Sequence, residues 1–287
     1  MLRGKLQHTP WYSRVALWIG IGLLCMILTV VGFMLAGDAR STESMKWLQF
    51  WQTLTVFILP ALTAVYLWSE KPLEWLHLNQ GMTWQTAGVA VGMMLLAIPA
   101  INLLSWLNQQ IVLPAGMHDI EVWMQNMEET AKQMTERFLK TDHIGGLLVN
   151  IGLMALLPAI GEEMTFRGVI QGLFSPKQKK AAIWIAAVVF SFIHFQFYGF
   201  VPRMLMGALF GYMLVWTGSL WVPILMHFTN NCVAVVSYYL TERYAPDSTW
   251  MDEFGSGSTW YVGVLSLMAI IVICYFFARE RSAAPRP

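Results

Sequence analysis

Long apolar runs separated by polar connections dominate the hydropathy pattern of the chain. Such runs lie at about 15–36, 47–68, 84–107, 144–173, 181–198, 202–218, 221–240 and 259–278. Most approach the ~20 residues that a helix needs to cross the hydrocarbon core. The first run is longer than the apolar region of a signal peptide, so we interpret it as a retained membrane helix. The pattern predicts an all-α, polytopic transmembrane helical bundle with about eight spans.

Two stretches depart from a plain span. The run 144–173 is long and contains Pro158 and a pair of glutamates, so it predicts a broken or steeply tilted helix. In the connection 108–143, apolar residues such as Ile120, Trp123 and Met127 recur near helical spacing, with charges between them. This spacing predicts an amphipathic helix along the outer face, either as a cap on the bundle or as a substrate gate.

Composition narrows the class of protein. Of 287 residues, 56% are hydrophobic and 12% are charged, the net charge is +1, and the mean hydropathy is +0.52. These values exclude a soluble globular enzyme, a disordered chain, a disulfide scaffold and a nucleic-acid binder. Cys25, Cys232 and Cys274 each lie in an apolar run, which favours packing residues over disulfide partners.

Basic residues in the tails and short loops predict the orientation. The residues concerned are Arg3, Lys5, Arg14, Lys177, Lys179, Lys180, Arg279, Arg281 and Arg286. An even number of spans puts all of them on one side, so we predict a multi-pass protein of the cell membrane with both termini in the cytoplasm. The connections 108–143 and 241–258 are acidic and would face outward, while the connection 69–83 is nearly neutral.

The chemistry divides the chain into three parts. Residues 1–143 contain the first helices and the amphipathic connection, without recognisable chemistry. Residues 144–240 form the predicted catalytic core. Residues 241–287 contain the last span and a Ser-Ala-Ala-Pro-Arg-Pro tail that we expect to be disordered.

Charged residues are scarce within the predicted core. Outside the Lys177–Lys180 loop it holds Glu162, Glu163, Arg167 and Arg203. Such residues inside a membrane are costly and are functional candidates. Residues four apart share a helical face, so Glu163 can pair with Arg167 and leave Glu162 free, and a free carboxylate suits a general base. The alternative is that both glutamates merely neutralise Arg167 and a neighbouring helix.

Two histidines lie at comparable membrane depth. His194 follows Phe190 by four residues, and His227 precedes Asn231 by four, so each pair can share a helical face. An imidazole and a carboxamide on one face can stabilise an oxyanion. The alternatives are a hydrogen-bonded core histidine and an interhelical hydrogen-bonded pair.

These residues together resemble a known family. Residues 162–167 have the form E-E-x-x-x-R, residues 190–194 F-x-x-x-H and residues 227–231 H-x-x-x-N. In this order they resemble the CPBP family of intramembrane proteases, which includes CAAX prenyl endopeptidases of the Rce1 type and bacterial immunity-type relatives. The resemblance implies that Glu162 activates water with help from His194, and that His227 and Asn231 stabilise the oxyanion. It implies a supporting role for Glu163 and Arg167, and we add Phe190 to this group.

The leading hypothesis is therefore an intramembrane endopeptidase that acts on a peptide or membrane-protein substrate within the lipid bilayer. No cofactor is expected, since H-E-x-x-H is absent and Asn is a poor zinc ligand. The alternative is zinc held by Glu162, His194 and His227. A proton-coupled transporter, or a non-catalytic scaffold or immunity protein using the same cavity, is the alternative function. Oligomeric state cannot be read from the sequence.

Overall fold

The computed structural model describes residues 2–36 and 41–283, and every regular element in these ranges is helical. The main helices are α1 (Trp11–Leu35), α2 (Thr42–Trp68), α3 (Trp84–Gln109), α4 (His118–Leu139), α5 (Ile144–Leu173), α6 (Lys179–Phe192), α7 (Phe200–Thr217), α8 (Trp221–Tyr244) and α9 (Trp260–Ala283). The predicted polytopic helical bundle is confirmed. The tail that we expected to be disordered begins within α9, and its residues 284–287 lie outside the described ranges.

Six of the predicted spans are helices long and apolar enough to cross a membrane, by length and composition. The two exceptions are α6, which has 14 residues, and α8, which has 24 but contains polar residues around its middle. The single helix predicted over 181–198 is wrong at its C-terminal end. Helix α6 stops at Phe192, and residues 193–199 turn the chain into α7.

Helix α5 continues past Pro158 without a break. A π-helical stretch, Ile151–Leu156, lies just before the proline and a second one, Met164–Ile170, follows the glutamate pair. A π turn pairs each carbonyl with the N–H five residues on, so Met154 does not depend on the N–H that Pro158 lacks. The predicted break at Pro158 is therefore absent, because the wider turn accommodates the proline within a continuous helix.

The amphipathic helix predicted within 108–143 is present as α4. It lies across one end of the bundle, where it packs on α2, on α8 and on the turn before α7. The Trp123 and Phe197 rings are 5.4 Å apart, and the side chain of Asn150 in α5 donates to the Leu139 carbonyl at 2.8 Å. We call this end the α4 face. The opposite end carries the start of α1, the end of α9 and the connections 69–83 and 174–178, and we call it the terminal face.

Candidate active site

One cavity of about 350 Å³ gathers the predicted site residues. Its wall includes Glu162, Phe190, His194, His227 and Asn231, which come from α5, from the end of α6 with its following turn, and from α8. Glu163 and Arg167 lie behind this wall, where both side chains are fully buried. All seven residues therefore meet at one place, although they span 70 positions of the chain.

Glu163 and Arg167 form the pair that their spacing predicts. Arg167 Nη1 donates to Glu163 Oε1 at 2.8 Å, and Nη2 donates to the Gly207 carbonyl at 2.9 Å. The guanidinium also lies 4.8 Å from the Phe190 ring centroid and 5.3 Å from that of Phe210. Hydrogen bonds, an opposite charge and two aromatic faces thus compensate the desolvation of the cation.

Glu162 differs from its neighbour in having no such partners. Its Oε2 atom is buried and accepts no hydrogen bond from the described part of the chain. Among the described residues, the basic nitrogen that lies within 4.0 Å of it is His227 Nε2, at 3.9 Å, which is beyond hydrogen-bond distance. Consecutive glutamates on one helix therefore have different environments, one paired and one facing the cavity.

His227 of α8 lies against both glutamates of α5. Its Nδ1 is 2.8 Å from Glu163 Oε1, while its Nε2 faces Glu162. A carboxylate oxygen accepts hydrogen bonds, so Nδ1 carries a proton, and Nε2 donates only when the ring is doubly protonated. The ring also stacks on Phe210, with centroids 5.5 Å apart. Sequence reasoning missed the contact between His227 and Glu163.

His194 lies in the turn that follows α6, and its side chain is held by a residue of that helix. Its Nδ1 is 2.7 Å from the Phe190 carbonyl, which can only accept, so Nδ1 carries the proton. In the neutral ring Nε2 is then a hydrogen-bond acceptor. Phe190 touches His194 and His227 edge-on, with centroids 5.0 and 5.8 Å apart, and so fixes the orientation of both rings.

Asn231 is oriented by its neighbour in the chain. Asn230 Nδ2 donates to Asn231 Oδ1 at 3.2 Å, and both residues line the cavity. With its oxygen engaged as an acceptor, Asn231 is left with its two N–H groups as donors. The carboxamide is therefore arranged to donate hydrogen bonds into the cavity.

Arg203 is a cavity residue to which sequence reasoning gave no role. Its Nη2 donates to Gln196 Oε1 at 2.8 Å, and its charge acts on Glu162 and on Glu128 of α4. Burial raises the pKa of the Glu128 carboxyl, and the charge of Arg203 opposes that shift. Its charge inside a predicted span made it a functional candidate, but no partner that would define its role could be predicted from the sequence.

The alternative zinc ligands do not form a ligand set. Across residues 2–36 and 41–283, no three His, Cys, Asp or Glu side chains are placed to hold a metal ion. The 3.9 Å between Glu162 Oε2 and His227 Nε2 is long for two atoms bound to one zinc at about 2.0–2.2 Å. That the site works without a metal stays a prediction.

Small residues let α7 approach the site closely. A Cβ atom on Gly207 would lie 3.2 Å from Arg167 Nη2 and 3.3 Å from the Ala187 Cα atom of α6. We expect Gly207→Val to lower the free energy of unfolding by about 1–3 kcal/mol, as overpacking does, and to reduce activity by displacing Arg167. Thermal unfolding in detergent measures the loss. Gly92→Val in α3 is the control, since a Cβ there meets nothing within 4 Å; equal losses for both variants would contradict the prediction.

Comparison with known sequences finds a family match over the segment that contains these residues. Residues 144–233, which include all seven candidates, match the family described as Type II CAAX prenyl endopeptidase Rce1-like. An uncharacterized protein of Bacillus subtilis (strain 168), YpbD, is 34% identical over 88 residues, which cover 29% of this chain and 43% of YpbD. The chain thus spans under half the length of that relative. No solved structure matches. The segment 144–233 is therefore similar to the Type II CAAX prenyl endopeptidase Rce1-like family.

Proposed function

We propose that this chain is an intramembrane endopeptidase that hydrolyses a peptide bond with a water molecule activated by Glu162. The observation that carries the proposal is the contrast between two adjacent carboxylates. Glu163 is held by Arg167 and His227, whereas Glu162 faces a cavity that two histidines and a carboxamide also line. The match of residues 144–233 to a family of prenyl endopeptidases supports the same reaction class.

The first step is attack on the substrate carbonyl. Glu162 accepts a proton from water as the water oxygen bonds to the carbonyl carbon. His194 assists through Nε2, which is the acceptor nitrogen of its neutral ring because Nδ1 is bound to the Phe190 carbonyl. The buried surroundings of the cavity strengthen each of these polar contacts.

The negative charge that develops on the carbonyl oxygen needs donors. Asn231 supplies N–H groups, and His227 supplies an N–H from Nε2 when its ring is doubly protonated. Glu163 stabilises that protonated ring through Nδ1. We also assign Arg203 to substrate binding, since its guanidinium borders the cavity.

Collapse of the tetrahedral intermediate completes the reaction. Glu162 returns its proton to the amide nitrogen, the C–N bond breaks, and the products are a carboxylic acid and an amine. One water molecule is consumed, and the side chain of Glu162 ends the cycle in its starting state. No redox partner is needed.

The proposal is tested by comparing membrane proteomes of cells that contain the wild-type chain or the Glu162→Gln variant. We expect new peptide N-termini in the wild type that are absent from the variant, together with accumulated uncleaved precursor. Identical termini in both strains, with equal amounts of the chain, would reject the protease. A wild-type phenotype with a Glu162→Ala chain would instead favour a binding role.

Activity should also resist chelation, because the described residues offer no three-ligand metal site. We expect purified protein in liposomes to retain its cleavage rate after treatment with a zinc chelator and removal of bound metal, checked by elemental analysis. A known zinc protease treated in parallel is the control. Loss of activity that zinc restores would show that the ligands rearrange around a metal.

We place the protein in the cell membrane with both termini in the cytoplasm. Among the described residues, nine Lys and Arg residues lie at the terminal face and five at the α4 face, and the acidic residues show the reverse bias. Basic residues accumulate on the cytoplasmic side of membrane proteins, so the terminal face is assigned to the cytoplasm.

A further inference from the structure

The catalytic cavity extends from its buried floor in one direction. Its wall on α5 consists of Met154, Pro158 and Glu162, and no wall residue follows Glu162 on that helix. Its wall on α8 begins at His227 and continues to Val235. Because α5 starts and α8 ends at the α4 face, both walls lead from the glutamate toward that face.

The rim of the cavity is formed at the same face. Thr135 and Leu139 of α4 line it, as does Gln49 near the start of α2. His227 at the floor is 3% exposed, whereas Thr135 at the rim is solvent-exposed. The amphipathic helix therefore forms the border of an opening, in addition to packing on the bundle.

The route toward the terminal face is closed. Beneath Glu163 lie the buried Arg167 and a cluster of apolar side chains that includes Trp68, Leu76 and Leu220, each 1% exposed or less. A separate cavity of about 240 Å³ lies on the far side of Arg167, and it shares no described wall residue with the catalytic one. The described wall residues of the catalytic cavity thus lead toward the α4 face and not toward the terminal face.

We infer that substrates reach the catalytic cavity from the extracytoplasmic side of the membrane, past α4. The substrates are then polypeptide segments exposed outside the cytoplasm, such as exported peptides or the outer juxtamembrane segments of membrane proteins. The inference rests on the proposed function for what enters the cavity, and on the charge bias of the two faces for its direction.

Cysteine labelling tests the direction without requiring hydrolysis. In a chain with Cys25, Cys232 and Cys274 replaced by Ser, Thr135→Cys marks the rim and Lys177→Cys marks the terminal face. A membrane-impermeant maleimide is applied to right-side-out and to inverted vesicles. We expect Thr135→Cys to react in the former and Lys177→Cys in the latter. Reaction of Thr135→Cys in inverted vesicles alone, or equally in both, would overturn the inference.

Two further measurements test substrate access separately from catalysis. The same labelling pattern is expected with Glu162→Gln in the background. Outward labelling of a chain that keeps Glu162 but cleaves no substrate would reject the protease and leave the direction intact. In an active chain, maleimide on Thr135→Cys applied from outside should block cleavage, whereas maleimide on Lys177→Cys should not. Unchanged cleavage after complete labelling of Thr135→Cys would show that substrates take another route.

Discussion

Replacement of Glu162 by Gln is expected to reduce the cleavage rate by about 10²–10⁴-fold, the range associated with loss of a general base. Gln keeps the size and polarity of the side chain but cannot accept the proton of the attacking water. Because Glu162 Oε2 accepts no hydrogen bond from the described residues, we expect the variant to keep the fold. Initial rates on a cleavable reporter in liposomes measure the effect.

The matched control is Glu129→Gln on α4, an exposed carboxylate that does not border the cavity. Its activity and the thermal stability of both variants should equal those of the wild type. Full activity of Glu162→Gln would remove this residue from the mechanism. An inactive Glu162→Gln with a large fall in melting temperature would show that Glu162 serves the fold.

Replacement of Arg167 by Met is expected to destabilise the protein by about 3–5 kcal/mol, the cost of leaving a buried charge without its partner. Glu163 would keep only its contact with His227, in a site where neither side chain is exposed. Unfolding in a denaturing detergent, followed by tryptophan fluorescence, gives the change in free energy. Activity should fall with it, since His227 is oriented through Glu163.

A double variant distinguishes loss of pairing from loss of packing. Glu163→Gln combined with Arg167→Met removes both charges, so it should recover much of the stability that Arg167→Met loses. Activity should stay low, because Gln cannot stabilise a protonated His227 ring as a carboxylate does. A double variant as unstable as the sum of its parts would mean that the ion pair contributes little and that Arg167 acts through its aromatic contacts.

Local spacing predicted the parts of the site that lie within one helix. Glu163 and Arg167 are four residues apart, and this alone placed their charges on one face and left Glu162 unpaired. The eight apolar runs also placed all the main helices except α4, which came from its amphipathic spacing. These features depend on helical periodicity and on transfer free energy, and both can be read from a short window of residues.

Contacts between helices could not be predicted from patterns within a short window of residues. The hydrogen bond between His227 and Glu163 joins residues 64 positions apart. The end of α6 was missed because apolar residues continue through Phe195 and Phe197 with no Gly or Pro before Gly199. Phe195 itself has a positive φ of 53°, and this conformation at a bulky residue is imposed by the surrounding fold. Sequence patterns contain no sign of it.

The π-helical stretch Ile151–Leu156 determines which glutamate is free. A π turn amounts to one residue inserted into an α-helix, and each α-helical residue turns the chain by about 100°. Deleting one residue from this stretch would rotate the glutamate pair by that angle relative to the end of α5 anchored against α4. Glu162 and Glu163 are chemically identical, so helical phase distinguishes the proposed base from the proposed structural support. The role that we propose for each glutamate thus depends on its rotation about the helix axis.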